Sequence, residues 1–287
     1  MVVIVGFIVV IGCVLGGFTW AGGHIHSLIH PSEILTIGGA SIGAMIVMSP
    51  TKVLKELVQA VIQCMKGSPY NKKAHAEMFQ AMYDLFRFGR RNGLLALEPH
   101  LSDPHHSTIL NKYPTVIKNH HACTFIAESL LPVVESTAKP EELPGILERQ
   151  LKAMEEEHHG PISVLTKTAD ALPGFGIVAA VLGIVITMGH IDGPPEEIGH
   201  KVGAALVGTF LGILASYGFF APLAVKMEFL GHAEMGYYRA IATIIGASAD
   251  GGSSKTAIDT ARRMLPSDVR PTSKELDELF AAVDASG

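Results

Sequence analysis

The first 51 residues of this 287-residue chain contain no lysine or arginine, and four stretches, 1–32, 34–51, 171–191 and 202–225, contain no Asp, Glu, Lys or Arg at all. Apolar residues make up 48% of the chain and are clumped rather than spread, which excludes an ordinary water-soluble globule. Cysteine is scarce as well. Cys13, Cys64 and Cys123 are the only three, so no disulfide framework is implied and a reducing compartment fits. A concentrated basic face is missing, and with a net charge of −5 the chain is not a nucleic-acid binder. The stretch "ADGGSSKT" lacks the glycine before Lys255 that a phosphate-binding loop needs, which argues against an ATP-driven enzyme. No strand-type alternation of useful length, internal repeat or low-complexity tract stands out.

What is present is membrane-spanning material. Each charge-free stretch can supply the roughly 20 apolar residues that cross a hydrocarbon core of about 30 Å. Lys and Arg are distributed as none in 1–51, fourteen in 52–170, one (Lys201) in 171–225 and seven in 226–287. By the positive-inside rule this predicts an all-α polytopic membrane protein with four transmembrane helices, 1–20, 34–51, 171–191 and 202–225. Residues 21–33 and 192–201 are then short periplasmic loops. A large helical cytoplasmic region covers 52–170 and a helical cytoplasmic tail covers 226–287, placing both termini inside. "VIGC", ending at Cys13, resembles a lipoprotein processing site, but no basic residue precedes it, so 1–20 reads as a retained membrane helix.

The soluble parts read as helix. "TKVLKELVQAVIQCMKG" and "KKAHAEMFQAMYDLFRFGRR" carry apolar residues at three- and four-residue spacing, separated by Gly67-Ser68-Pro69. "KPEELPGILERQLKAMEEEHHGP" continues the pattern and is expected to end at Gly160-Pro161. Thr272, with Glu275 three residues later, predicts a capping box at the start of a last helix.

Within the spans, Gly39 and Gly43, and Ala204, Gly208 and Gly212, recur at four-residue spacing, which allows close helix packing. Pro173 falls at the cytoplasmic start of the third span. Pro222, inside an apolar run, leaves the carbonyl of Gly218 without its usual amide; both are candidate hinges as well as candidate simple kinks. An intramembrane carboxylate is the usual proton or cation relay, and none falls inside these four spans, so an ion-conducting role requires another polypeptide to bring the acid. The 14 histidines include "HIHSLIH", "HLSDPHH" and "EEEHHG", none with a recognised zinc-ligand spacing, so no metal site and no catalytic residue are assigned.

Four segments in order, Pro173–Gly183 (PGFGIVAAVLG), Gly208–Ala224 (GTFLGILASYGFFAPLA), Phe86–Glu98 (FRFGRRNGLLALE) and Leu265–Glu278 (LPSDVRPTSKELDE), are similar to the MotA family of flagellar motor stator subunits, within the MotA/TolQ/ExbB superfamily. That resemblance covers nearly the whole chain. It implies a homo-oligomeric ring, a pentamer, around a MotB-like partner whose membrane helix supplies the ion-binding Asp, in the bacterial inner membrane. It implies coupling roles for Pro173 and Pro222, contact with the rotor protein FliG through Arg90 and Glu98, with Arg87 and Arg91 able to share that role, and an ion path lined by Ala180 and Thr209. Sodium-driven relatives have Thr where this chain has Ala180, which points to H+ rather than Na+ as the transported ion, with no cofactor. The alternative within the superfamily is an ExbB- or TolQ-like energiser of envelope transport, from which the extra first span and the Arg90–Glu98 segment distinguish this chain.

Overall fold

The structure is a computed structural model that describes residues 2–137, 139–249 and 252–286. Its helices in chain order are α1 (Val2–Trp20), α2 (Pro31–Met48), α3 (Thr51–Lys66), α4 (Lys72–Asn92), α5 (Glu98–Ser102), α6 (Pro114–Ile117), α7 (His120–Val134), α8 (Leu143–Met188), α9 (Pro195–Ala215), α10 (Ala221–Ala249), α11 (Ser254–Met264) and α12 (Ser273–Ser286). Short 3-10 turns join several of them, and a π-turn, Ser216–Phe220, joins α9 to α10. Every regular element among the described residues is helical. Four helical segments are long and apolar enough to cross a membrane: Val2–Trp20, Ile25–Met48, and parts of Pro140–Met188 and Pro195–Ser248.

The chain divides into two compact units, Met1–Gly67 with Glu157–Leu230, and Ser68–Glu156 with Gly231–Gly287. In the first, α1 buries none of its side chains. Val5, Ile8 and Val9 each expose more than half their surface, an apolar face suited to lipid or a protein neighbour rather than water. α3 is amphipathic and sets Leu57 and Cys64 against Val164 and Leu165 of α8 and Ala224 and Met227 of α10. Gly67, at φ +97°, ends it in a conformation that favours glycine.

α8 corrects one expectation. It does not stop at Gly160-Pro161 but runs for 46 residues through both Pro161 and Pro173. Pro161 removes one backbone hydrogen bond, yet the flanking residues are held by packing on α3. A β-carbon on Gly160 would lie 3.7 Å from Val53 Cγ2, and Val164 and Leu165 are buried just beyond. Pro173 is therefore an interior residue of a long helix, not part of a first turn.

The second unit has a water-soluble protein's core. Met78, Phe79, Met82 and Leu85 of α4 pack with Phe125 and Ile126 of α7, Tyr237, Tyr238, Ile241 and Ile244 of α10, Ile258 of α11 and Phe280 of α12. Local signals start these helices. Asn71 Oδ1 accepts the Ala74 amide at 3.0 Å and Asn119 Oδ1 the Ala122 amide at 3.1 Å. The capping box expected at Thr272 is formed: its amide donates to Glu275 Oε2 at 2.7 Å, and the Glu275 amide donates to Thr272 Oγ1 at 3.2 Å.

Candidate functional site

Small residues bring α8 and α9 into backbone contact. A β-carbon on Gly176 would lie 2.8 Å from the Gly208 carbonyl oxygen, one on Gly212 would lie 2.6 Å from the Leu172 oxygen, and one on Gly183 would lie 2.8 Å from Ala205 Cβ. Real β-carbons do not approach this closely, so glycine is required at all three. Ala180 and Thr209 belong to the same seam. Ala180 is buried, its amide nitrogen 3.3 Å from where a β-carbon on Gly208 would stand, and the Thr209 Cα is 3.3 Å from where a β-carbon on Gly176 would stand.

The seam holds a carboxyl group that the charge count had set outside the spans. Pro31 occupies the start of α2, which puts Glu33 in the helix's first turn, and the residue is only 7% exposed. Its Oε2 would lie 2.7 Å from a β-carbon on Gly208, and it has no hydrogen-bond partner in the structure. The legible signal was Pro31 itself, since proline favours the first helical position and carries the next residues into the helix.

The two candidate hinge prolines are joined by Ser216, one of the few polar residues of the last two spans, to which the sequence assigns no role. Pro173 has no N–H, so the carbonyl of Ala169, four residues earlier, loses its helical donor. Ser216 Oγ donates to that carbonyl at 2.6 Å. Ser216 is buried and opens the π-turn that precedes Pro222, where the Ala221 amide donates to Ser216 O in five-residue register. One hydroxyl thus ties the break made by Pro173 to the irregularity beside Pro222.

In the second unit, α4 ends at Gly93, φ +89°, and the chain returns so that Leu97 is buried against Gly89. A β-carbon on Gly89 would lie 2.9 Å from Leu97 Cδ1. Arg90 and Glu98 each follow one residue of this contact directly, so the turn gathers both at one exposed tip, with Arg91, Leu94 and Leu95 also exposed there. Arg90 Nη2 donates to the Gly252 carbonyl at 2.6 Å. Arg87 is not equivalent. It is nearly buried and bridges Asp84 at 3.2 Å and Asp284 at 3.3 Å, and Asp84 also receives Lys112 at 2.9 Å. Among the described residues no three His, Cys, Asp or Glu side chains converge as a metal site, although His105 and His120 bring their Nε2 atoms to 3.1 Å.

Residues 4–93 match the Motility protein A N-terminal family model, and residues 118–239 match that of the MotA/TolQ/ExbB proton channel family. Chemotaxis protein LafT of Vibrio parahaemolyticus is 36% identical, over 96% of this chain and 97% of its own. Motility protein A of Salmonella typhimurium is 32% identical, over 99% and 96%. The chain belongs to the MotA family.

Solved MotA-containing complexes share its fold. The MotAB structure from C. jejuni superposes with a TM-score of 0.76 at 22% identity, covering 94% of this chain and 98% of that one. The flagellar MotAB stator complex of Bacillus subtilis gives 0.69 at 23% identity, over 92% and 95%. Of the MotA-type positions picked out from sequence, Ala180 and Thr209 meet at one seam, Pro173 is connected through Ser216 to the turn preceding Pro222, and Arg90 and Glu98 share one exposed tip of the second unit. The structure adds Glu33 to the polar side chains of the membrane helices and gives Ser216 a partner, the Ala169 carbonyl.

Proposed function

We propose that this chain is a stator subunit of a bacterial flagellar motor, which with a MotB-type partner conducts protons across the inner membrane and converts their flow into torque. The observation that carries this reading is similarity over essentially the full length to proteins named for motility and chemotaxis. The site geometry fits it. A seam too tight for side chains, flanked by two prolines whose irregularities share one hydroxyl, is a place where a small change beside the helices alters their backbone.

In this reading the partner supplies the Asp that binds the ion, several copies of this chain, five by family analogy, surround a MotB-type dimer, and both termini lie in the cytoplasm. Protonation of the partner's Asp changes its contact with the ring, and the ring steps. The exposed Arg90–Glu98 tip then works against the rotor protein FliG. One charge moving down 100 mV releases about 2.3 kcal/mol, roughly four times RT, so many ions must pass per revolution. Ala180 offers no hydroxyl to a sodium ion, which favours H+. The ExbB- or TolQ-like alternative keeps the ion path but has no rotor to contact.

A strain lacking the chain, with filaments stained and counted, tests the assignment. The expected result is normal filaments that do not rotate, with swimming restored by re-expression and reduced by Arg90→Glu or Glu98→Arg, while speed follows proton-motive force and ignores sodium. Normal swimming, with a defect in envelope transport instead, overturns the stator reading; speed that tracks sodium at fixed proton-motive force overturns the ion.

A further inference from the structure

A buried carboxyl oxygen without a partner is uncommon, and each case calls for a reason. Moving an ionised carboxylate out of water unpaired is far more costly than moving the neutral acid, so such groups in membrane helices persist where they exchange protons or ions. Glu33 meets this description at the seam that also holds Ala180.

Two further protonatable side chains lead to it. His200 on α9 is exposed, and its ring stands edge-on to that of His30 with centroids 6.3 Å apart. His30 is half-buried at the N-cap of α2, its Nε2 3.1 Å from the Ser27 carbonyl oxygen, one turn before Glu33. Exposure thus falls from His200 through His30 to Glu33. Along α9 the route from His200 to Gly208 descends eight residues, about 12 Å at 1.5 Å per residue. On the α8 side the groups around the same point beside Gly208 are Ala179 and the Ala180 amide, neither of which titrates.

We propose that His200, His30 and Glu33 form a proton-uptake route on this chain, with Glu33 as the inner station that holds a proton beside the seam before it passes on. The chemistry balances without a co-reactant. The Glu33 carboxylate takes one proton from the histidine side, becomes a neutral acid, and returns to carboxylate when the proton moves to the next acceptor, which on the stator reading is the partner's Asp. The inference rests on that reading. It gives Glu33 control of how uptake responds to external pH, while the ion-binding carboxylate stays with the partner.

The test is proton influx in cells expressing this chain with its MotB-type partner, at stepped external pH, for the unaltered protein, Glu33→Gln and Glu33→Asp. Glu33→Gln keeps the shape and loses the proton site. Its influx should come nearest to that of the unaltered complex at acid external pH, where free protons are abundant, and then fall about tenfold per unit rise in pH, in step with free protons, where the unaltered complex falls less steeply. Glu33→Asp should restore the shallow profile with a displaced midpoint. An influx equal to the unaltered complex at every pH, or lowered by one constant factor throughout, overturns the proposal, the second outcome marking Glu33 as structural. If Glu33→Gln does not assemble, an unshifted Glu33→Asp midpoint overturns it as well. No influx through the unaltered complex overturns the conducting reading itself.

Discussion

Ser216 shows how much one hydroxyl can carry inside a membrane helix pair. Ala169 and Ser216 are both buried, and Pro173 has removed the amide donor of the Ala169 carbonyl, so the 2.6 Å bond from Ser216 is its replacement. Ser216→Ala should lower stability by about 1–3 kcal/mol, the cost of an orphaned buried acceptor. Thermal melting of the purified protein in detergent measures this, with the same variant swimming more slowly; an unchanged melting temperature would show the bond to be unimportant. The missing amide donors at Pro173 and Pro222 were legible in the sequence, because proline carries no N–H wherever it stands. Ser216 was not, because serine in an apolar run most often bonds within its own helix, as Thr168 does to Val164 at 2.8 Å. Only the 47-residue separation of donor and acceptor, closed in space, gives it a different task.

Among the elements, the α8–α9 seam sets the sharpest constraint. Gly212→Ala would push a methyl group to 2.6 Å from the Leu172 carbonyl oxygen, and backbone cannot give way as a flexible side chain can. Gly174, two residues from Gly176 on the same helix, has nothing within 4 Å of the corresponding point. Gly212→Ala should therefore abolish motility and destabilise by about 1–3 kcal/mol or more, as overpacking does, while Gly174→Ala is tolerated. Swimming and membrane abundance of both variants check the pair, and equal behaviour would remove the seam's special status. Four-residue spacing of small residues announced close packing in α9, but a stripe does not name its partner. The continuation of α8 through Gly160-Pro161 was illegible for a related reason: proline's local cost is visible in sequence, whereas the α3 surface that outweighs it lies a hundred residues away.

For the molecule as a whole, segregation of charge made the four apolar segments readable, since a bilayer imposes a length and composition that few other environments do. The second unit was less readable because it is assembled from segments separated by the membrane helices, with Phe280 of α12 packed 4.6 Å, centroid to centroid, from Tyr83 of α4. Its acid response follows from two groups. Burial pushes the His75 ring below the usual histidine range, and Lys72 with the Thr272 cap holds Glu275 down at about 2. In both cases the unfolded chain binds protons before the folded one. The stability is fully present above the ordinary ranges of the two side chains and is lost as pH falls, first through the histidine range and then from the carboxylate range toward 2. Melting followed by the aromatic signal of Tyr83, Tyr237 and Tyr238 should shift to lower temperature on acidification. Lys72→Met should flatten the lower part of that dependence and His75→Gln the upper part; parallel curves for all three proteins would contradict this.

The π-turn at Ser216–Phe220 also has an angular consequence. Gly208, Gly212, Ser216, Phe220 and Ala224 are spaced four apart, and all are buried or half-buried. In an uninterrupted α-helix each step of four residues advances a stripe by about 40°, so Ala224 would stand about 160° around the cylinder from Gly208. The extra residue accommodated by the π-turn takes back about 100° of that rotation, leaving the five positions within about 80° of one another. Deleting a single residue between Ser216 and Phe220 would therefore absorb the turn and leave Ala224 and Met227 facing α3, whereas regularising the turn with the residue count kept would swing that face away by about 100°.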